Sequence, residues 1–347
     1  MAWYALSVLG DARDATKSLL VPVDRGRWLR LALIAFFVGG VGGGGGGGGG
    51  QSVNVSNGDV TGPFPGGFPT GELPPVRSVA AVVAAIVLVV LLVALVLVAI
   101  GSVMEFVFVE GVRTRNVRIR DPFRSYLRPG LRLFGFRVLA GLGIFALVAI
   151  PIAGAVLAGV AVSPALLLLV IPIVILVGIV GLVVGVVLQL TVDFVVPAML
   201  AEDRGVLDGW RRMWPILRRE WEQAALYVLV RYALGIAAAI AVGLVVVLLA
   251  LVVALPFLLV GGLLYALLVA LGGPGLAGWV ALGFVGLLYG LAVVVVSLFV
   301  QVPVATYFRY YALFVLGEFD EGLDLVAEFR AADESEGGDG TSPATAG

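Results

Sequence analysis

Cysteine and histidine are both absent from this chain of 347 residues. Their absence excludes disulfides, cysteine nucleophiles, histidine bases and zinc sites of the ordinary kind. Charged residues are also scarce, at 13% of the chain, whereas 61% of the residues are hydrophobic. Soluble domains are about 25% charged and about half apolar. The composition therefore excludes an ordinary soluble fold and indicates an integral membrane protein.

Long apolar runs make up most of the chain. A helix needs about 20 apolar residues to cross the hydrocarbon core of a bilayer, and five segments provide them. A sixth is weaker, because the segment from Trp28 to Val41 has only 14 residues before a glycine run. Backbone groups find no partners in lipid, so each span must be helical despite its valine content. The sequence predicts an all-α, polytopic integral membrane protein with six transmembrane helices and amphipathic interfacial helices.

Six spans divide the chain into alternating membrane and aqueous segments. The transmembrane helices are expected at residues 28–46, 77–106, 133–160, 165–192, 226–256 and 279–304. The cytoplasmic segments are expected at 1–27 (amphipathic), 107–132 (rich in arginine), 193–225 (with a Trp/Arg interfacial helix) and 305–347 (an acidic tail). The external loops are expected at 47–76 and 257–278.

The basic residues indicate the orientation. Cytoplasmic loops of membrane proteins are enriched in Lys and Arg. If the N-terminus lies inside, 21 of the 22 basic residues fall on the inner side, and Arg77 is the exception. We therefore expect a multi-pass protein of the cell membrane with both termini in the cytoplasm. The basic residues before Trp28 are the reason to retain the weak first span.

Two segments have biased composition. The segment that ends the predicted first span and continues into the first external loop holds nine consecutive glycines, at 42–50, followed by several prolines. It is either a pliable sensor or substrate loop or, as we favour, a tolerated glycine expansion in an exposed loop. The acidic tail is expected to be disordered from about residue 331 and is a possible site for a protein partner. Within it, residues 318–330 predict an amphipathic helix, with Phe319, Leu323 and Val326 on one face, that docks on the arginine-rich loop.

Three predicted helices end alike on the inner side, at Glu105-Phe-Val, Asp193-Phe-Val and Gln301-Val-Pro. Two of them are followed by matched tetrads that begin at Asp121 and Asp208. An Asp immediately before a helix can accept hydrogen bonds from its first amides. The pattern predicts a capped surface helix after each of these two spans, and a three-fold repeat of helix pairs.

The predicted span interiors contain almost no polar side chain. Such groups are costly at mid-bilayer and usually functional, so their scarcity weakens readings as an ion-coupled transporter or an enzyme. We expect no cofactor and no metal. The best site candidate is a cluster at the inner boundary, with Glu105 and Asp193 as acids and Arg137 and Arg231 as their partners. The alternative is simple ion pairing that anchors helix ends.

Arginines of the cytoplasmic loops are candidate contacts for lipid headgroups. They are Arg113, Arg115, Arg118, Arg120, Arg124, Arg128, Arg132, Arg211, Arg212, Arg218 and Arg219. The helical spacing of Trp210, Trp214, Leu217 and Trp221 adds the aromatic face of an interfacial helix. Membrane lipids are thus the expected partners. The alternative is that these arginines only determine topology. Nucleic acid is not expected, because the membrane accounts for the arginine run.

Several short motifs resemble an uncharacterised family of haloarchaeal multi-pass membrane proteins. They are Ala2-Trp-Tyr-Ala-Leu6, Gly26-Arg-Trp-Leu-Arg30, the glycine-rich loop, and Asp193-Phe-Val-Val-Pro-Ala-Met199 with Trp210-Arg211. More distantly, the layout is similar to the membrane-anchoring region of glycerophosphodiester phosphodiesterases, but the chain has no catalytic domain of that kind. The resemblance implies a fold and a host, and it implies no activity.

The sequence favours a non-enzymatic integral membrane protein that acts at the cytoplasmic membrane interface through lipid or partner-protein contacts. The alternative is a transporter or channel whose site is built from broken helices. In that case the helices would break near Pro151, Pro172, Pro197 or Pro256.

Overall fold

The structure, a computed structural model, describes residues 4–41, 76–157, 164–202 and 204–327. Every regular element in this part of the chain is helical, which confirms the predicted all-α class there. The predictions for the glycine-rich loop and for the tail beyond residue 327 fall outside the described residues.

The regular elements of the described residues are eleven α-helices, two π-helical segments and one 3₁₀ turn. The α-helices are α1 (Tyr4–Ser7), α2 (Leu9–Leu20), α3 (Arg25–Ala35), α4 (Val76–Arg113), α5 (Arg120–Ser125), α6 (Leu127–Leu157), α7 (Pro164–Leu190), α8 (Val196–Glu202), α9 (Val206–Arg219), α10 (Trp221–Ala270) and α11 (Leu276–Phe319). The π-helical segments are Phe36–Val41 and Thr191–Val195, and the 3₁₀ turn is Glu321–Leu323.

Five segments are long and apolar enough to cross a membrane: Val82–Arg113, Leu127–Gly154, Ile171–Glu202, Trp221–Ala270 and Leu276–Phe319. Their length and composition are those of a multi-pass membrane protein. The sixth predicted span corresponds to α3, with 11 residues, and to the π-helical segment after it, with 6. The described part of this stretch is shorter than a span requires, and residues 42–46 of the predicted span lie outside it, so the count of six is not confirmed.

The helices α10 and α11 are much longer than the predicted spans, with 50 and 44 residues. α10 continues through most of the predicted external loop as far as Ala270, and a turn with positive φ at Gly272 and Gly273 leads into α11. α11 continues to Phe319, whereas the sequence predicts a tail from residue 305. In both cases the helix continues through a proline, Pro256 in α10 and Pro303 in α11, and does not end there.

Of the four prolines at which a helix break is predicted, only Pro197 lies near one, because it follows the π-helical segment Thr191–Val195 by two residues. Pro151, Pro172 and Pro256 lie inside continuous helices. Proline is tolerated there because neighbouring groups in a membrane helix bundle satisfy the freed backbone. The discontinuities are instead the two π-helical segments, Phe36–Val41 and Thr191–Val195. Short π-helical segments within α-helices often occur at functional sites.

The predicted caps are partly wrong. Asp121 and Asp208 lie in the first turns of α5 and α9, but neither is the N-cap residue. A carboxylate in the first turn still favours the helix start through the helix dipole. A true cap occurs at α3, where the Asp24 carboxylate accepts a hydrogen bond of 3.0 Å from the Gly26 amide.

Buried side chains concentrate at one end of the helix bundle, in residues 4–35, 100–137, 189–231 and 297–327, which we call the core end. At its centre, the stretch of α11 from Phe308 to Leu316 is buried on all sides. Elsewhere the apolar side chains of the long helices are largely exposed: Leu92 of α4 is 54% exposed and Leu251 of α10 is 62% exposed. The protein core therefore lies at one end of the apolar helices.

The N-terminal helices belong to this core. The predicted apolar face of α1 and α2 is confirmed as one buried face, formed by Ala5, Val8, Ala12, Ala15 and Leu19. The face contacts protein, however, and not the membrane surface as predicted for an interfacial helix. The Tyr311 hydroxyl of α11 donates a hydrogen bond of 3.0 Å to the Ala5 carbonyl oxygen.

Candidate functional site

The four residues of the predicted inner-boundary cluster all lie in the core end, and they form two ion pairs. Arg137 of α6 donates through Nη2 to Glu105 Oε1 of α4 at 3.0 Å. Arg231 of α10 has its Nε 3.5 Å from Asp193 Oδ2, in the π-helical segment after α7. All four side chains are buried. Each acid thus pairs with an arginine from a helix that follows it in the chain.

A fifth charged residue, Arg309 of α11, joins the cluster. It donates through Nη2 to Glu105 Oε2 and through Nη1 to the Val192 carbonyl oxygen, the latter at 3.0 Å. Its side chain is buried and its guanidinium carbon lies 5.2 Å from the centre of the Phe108 ring. Arg309 therefore links the α4 acid to the backbone of the second π-helical segment. We call these five residues the charged cluster.

Sequence reasoning missed Arg309 because it assigned residues 305–347 to an aqueous tail. A signal was present, since Arg309 interrupts an aromatic and apolar run from Tyr307 to Leu316 with no helix breaker. A single charge in such a run usually has a partner inside the protein.

Two polar neighbours hold Asp193 in place. Its Oδ2 accepts a hydrogen bond of 2.7 Å from the Tyr227 hydroxyl and another from the Gln189 side-chain amide. The π-helical segment that carries Asp193 is itself tied to α9, because the Trp210 indole donates to the Thr191 hydroxyl at 3.0 Å. The acid is therefore fixed by α7, α9 and α10 together.

A cavity of about 80 Å³ lies beside the charged cluster. One water needs about 10–15 Å³ on this measure, so the cavity has room for several waters or a small ion. Its polar lining includes Glu105, Gln189, Asp193, Arg231, Gln301 and Arg309. Its apolar lining comes from α3, α10 and α11 and from the first π-helical segment.

Two residues of this lining are incompletely bonded. Arg231 has no hydrogen-bond partner at Nε or Nη1, since the contact of Nε with Asp193 is ionic and lacks hydrogen-bond geometry. The Gln189 side-chain oxygen also has no partner. The Arg231 guanidinium carbon lies 3.7 Å from the centre of the Phe308 ring, so the aromatic ring stabilises part of its charge. Buried donors without acceptors indicate a site that can receive a ligand.

Within the described residues, no group of three or more acidic side chains is arranged to hold a metal ion. Each of the two acids in the charged cluster lies against arginine. The chemistry this arrangement offers is therefore the recognition of negative charge.

The predicted headgroup contacts lie on the surface of the core end. All seven arginines between residues 113 and 132 are exposed, as are Arg211, Arg218 and Arg219 of α9. Trp214 and Trp221 are 59% and 65% exposed. The aromatic face is not the predicted one, because α9 buries Met213, Ile216 and Leu217 and turns Trp214 outward.

Tyr126 anchors the arginine-rich segment to the core end. Its ring stacks on that of Phe106 with centroids 5.9 Å apart. Burial raises the pKa of the Tyr126 phenol above its ordinary value, and the charge of Glu110 adds to the effect. The phenol is neutral at physiological pH even at its ordinary pKa, and the raised pKa extends that neutral range further.

Arg212 differs from Arg211 and Arg219, which pair with acids one to three residues away, because its acidic partners belong to other segments. Its Nη2 donates to Asp320 Oδ2, and its Nε lies 3.6 Å from Glu202 Oε1. The residues after α11 are thereby held against α9, with Phe319, Leu323 and Val326 buried as one face, as predicted. The predicted helix over 318–330 is wrong in its described part, because α11 ends at Phe319 and only a 3₁₀ turn follows.

Comparison with known proteins places the chain in a family. A model of a family of unknown function, DUF7544, matches residues 3–326, nearly the whole chain, and the chain belongs to this family. No curated protein and no solved structure matches it.

Proposed function

We propose that this member of a family of unknown function is a non-enzymatic membrane protein that binds anionic lipid headgroups at the cytoplasmic membrane interface. The observation that carries the proposal is the surface of the core end. There, exposed arginines of α9 lie beside the exposed indoles of Trp214 and Trp221. Indoles favour the headgroup level and guanidinium groups bind phosphate, so the two together fit an anionic membrane surface.

The proposal includes six spans in the cell membrane, with both termini and the core end at the cytoplasmic face. The distribution of basic residues supports this orientation. The two ion pairs, Glu105–Arg137 and Asp193–Arg231, support the repeat of helix pairs, because each joins the end of one predicted span to the start of a later one. The motif resemblance and the acidic tail support a haloarchaeal host. The tail is a further candidate contact for a protein partner.

Quenching of tryptophan fluorescence by brominated lipids tests the lipid proposal. In a variant that keeps only Trp214 and Trp221, brominated phosphatidylglycerol in nanodiscs should quench more strongly than brominated phosphatidylcholine. Replacing Arg211, Arg218 and Arg219 with Gln should bring the ratio of the two close to one. The same positions changed to Lys, which keeps the charge, should retain most of the preference. Equal quenching by both lipids in the parent protein would refute the proposal.

A second candidate function is a transporter or channel. The observation in its favour is that both π-helical segments contribute residues to the lining of the cavity. Discontinuous helices of this kind form the substrate sites of many transporters. A water-filled path along α7 or α10 would be required in addition.

Single-cysteine scanning separates the two candidates, because the chain has no native cysteine. Under the lipid proposal, cysteines at 178–185 of α7 and at 235–243 of α10 do not react with a membrane-impermeant thiol reagent. A cysteine at Arg124 should react, from the cytoplasmic side alone. Labelling within α7 or α10 from water would favour the transporter, and labelling at 124 from outside would overturn the orientation.

A further inference from the structure

We propose that the cavity beside Arg231 is an anion-binding site that takes one phosphate group, supplied by the headgroup of an anionic lipid. This site lies inside the core end and is separate from the exposed arginines on its surface. It goes beyond the proposed surface contact, because one lipid would be bound in a defined position.

The charged cluster has one more positive than negative group, so one bound anion would balance its charge. Three guanidinium groups, of Arg137, Arg231 and Arg309, lie against the two carboxylates of Glu105 and Asp193. As ionised groups they carry one unmatched positive charge, and all five side chains are buried. A buried charge without a counter-ion is costly. One bound anion would neutralise the cluster.

The excess of arginine over acid lies around Glu105, but the incompletely bonded guanidinium of the cluster is that of Arg231. Arg137 and Arg309 both donate hydrogen bonds to Glu105, so their guanidinium groups are engaged. Arg231 has only an ionic contact with Asp193, whose Oδ2 already accepts from Tyr227 and Gln189. Its Nε and Nη1 have no acceptor, although the side chain is only 6% exposed. Nε and Nη1 lie on different edges of the guanidinium, so a phosphate oxygen in the cavity can accept a charge-assisted hydrogen bond from one of them.

The residues that line the cavity favour a lipid as the source of the phosphate group. On α10 the lining continues from Arg231 to Ala238, Ala239 and Val242, about two to three turns further into the apolar part of the helix. Val38 and Gly39 of the first π-helical segment and Val304 of α11 face the same space. A polar end at Arg231 and small apolar side chains beyond it suit an amphiphile, whose headgroup reaches the arginine while its chains follow α10.

Binding of two probes to delipidated protein in detergent tests the site. Short-chain phosphatidylglycerol should bind with a stoichiometry of one per chain, measured by native mass spectrometry and calorimetry, and phosphatidylcholine should bind at least tenfold more weakly. R231Q should weaken phosphatidylglycerol binding on the order of tenfold or more, because a hydrogen bond to a charged group is lost. R13Q, a change at an exposed arginine of α2 that is not one of the proposed headgroup contacts, should leave it unchanged.

A matched pair of variants covers the case in which R231Q does not fold. A238L fills the cavity wall without altering any charge and should abolish the single lipid. A237L places the same side chain at the neighbouring exposed position, which does not line the cavity, and should bind as the parent does. Retained binding in both A238L and a folded R231Q would overturn the proposal.

Inorganic phosphate is the second probe, and it distinguishes the source of the anion. No binding of phosphate, with saturable binding of phosphatidylglycerol, supports the lipid. Phosphate that binds as tightly as the lipid assigns the site to a free anion and overturns the lipid source. Binding of neither probe overturns the site altogether. The surface proposal fails separately, since it depends on Arg211, Arg218 and Arg219 and not on Arg231.

Discussion

Side chains make different contacts in the core end and along the exposed lengths of the same helices. In the core end, side chains pair with one another: Glu105 has two arginine partners, and Tyr227 and Gln189 bond to Asp193. Along the outer parts of α4, α7 and α10, apolar side chains such as Val89 and Val183 are more than half exposed and meet few protein neighbours. The solvent for these surfaces is lipid.

The contrast teaches where specificity resides. Lipid tails are as apolar as leucine, so the exposed lengths need only to be hydrophobic and helical. The core end must satisfy buried charges, donors and ring contacts all at once, and each of them constrains the others. Substitutions should therefore have large effects in one region and small effects in the other.

The largest effect is expected for Glu105→Gln. The change leaves the buried guanidinium groups of Arg137 and Arg309 without a carboxylate, and breaking a buried ion pair costs about 3–5 kcal/mol. The free energy of unfolding, measured by denaturant titration in detergent, should fall by that amount, or the protein should fail to fold. Glu110→Gln, at a more exposed acid of the same helix, should change it by less than about 0.5 kcal/mol. Equal effects would contradict the contrast.

Truncation of a leucine should also lower the free energy of unfolding more in the core end than on the exposed helix surface, but by a smaller difference. Leu313 is fully buried in α11, and Leu313→Ala should lower the free energy of unfolding by about 2–5 kcal/mol. Leu92→Ala, at a 54% exposed position of α4, removes the same atoms from a surface that lipid covers. Its effect should stay below about 0.5 kcal/mol. A large loss at Leu92 would mean that another protein surface covers α4.

The smallest of these effects is expected at a close helix contact. A Cβ added at Gly130 of α6 would lie 2.8 Å from Val103 Cα of α4, a distance that forces the helices apart. Gly130→Ala should destabilise the protein by about 1–3 kcal/mol. Gly141→Ala in the same helix meets no atom within 4 Å and should be neutral or slightly stabilising. Denaturant titration in detergent measures both variants, and an unchanged free energy of unfolding for Gly130→Ala would contradict the close contact.

Sequence reasoning found the class, most of the spans and four members of the charged cluster. It named Glu105, Arg137, Asp193 and Arg231 because a charged residue at the edge of an apolar run can be recognised from the sequence alone. It could not find the cavity, which depends on how α3, α10 and α11 approach one another. It also mistook the first helices for a surface element, because an apolar helix face looks the same whether lipid or protein covers it.

The same reasoning failed at helix ends. Gly272 and Gly273 mark the real turn between α10 and α11, but the sequence prediction ended α10 near Pro256 and α11 before residue 305. The sequence prediction limited each span to the thickness of a bilayer, whereas α11 is about 66 Å long at the usual rise per residue. The helix is therefore about twice as long as the hydrocarbon core of a bilayer is thick, and its C-terminal half carries Arg309 and the centre of the core.

The hydrogen bond between Tyr311 and Ala5 has a consequence for biogenesis. It joins residues 306 positions apart, and the Arg309–Glu105 pair joins residues 204 positions apart. Because α11 is made after the other long helices, α1 and α2 cannot complete their contacts with it until it has been translated. This part of the core can therefore close only after the helix that lies at its centre has been made.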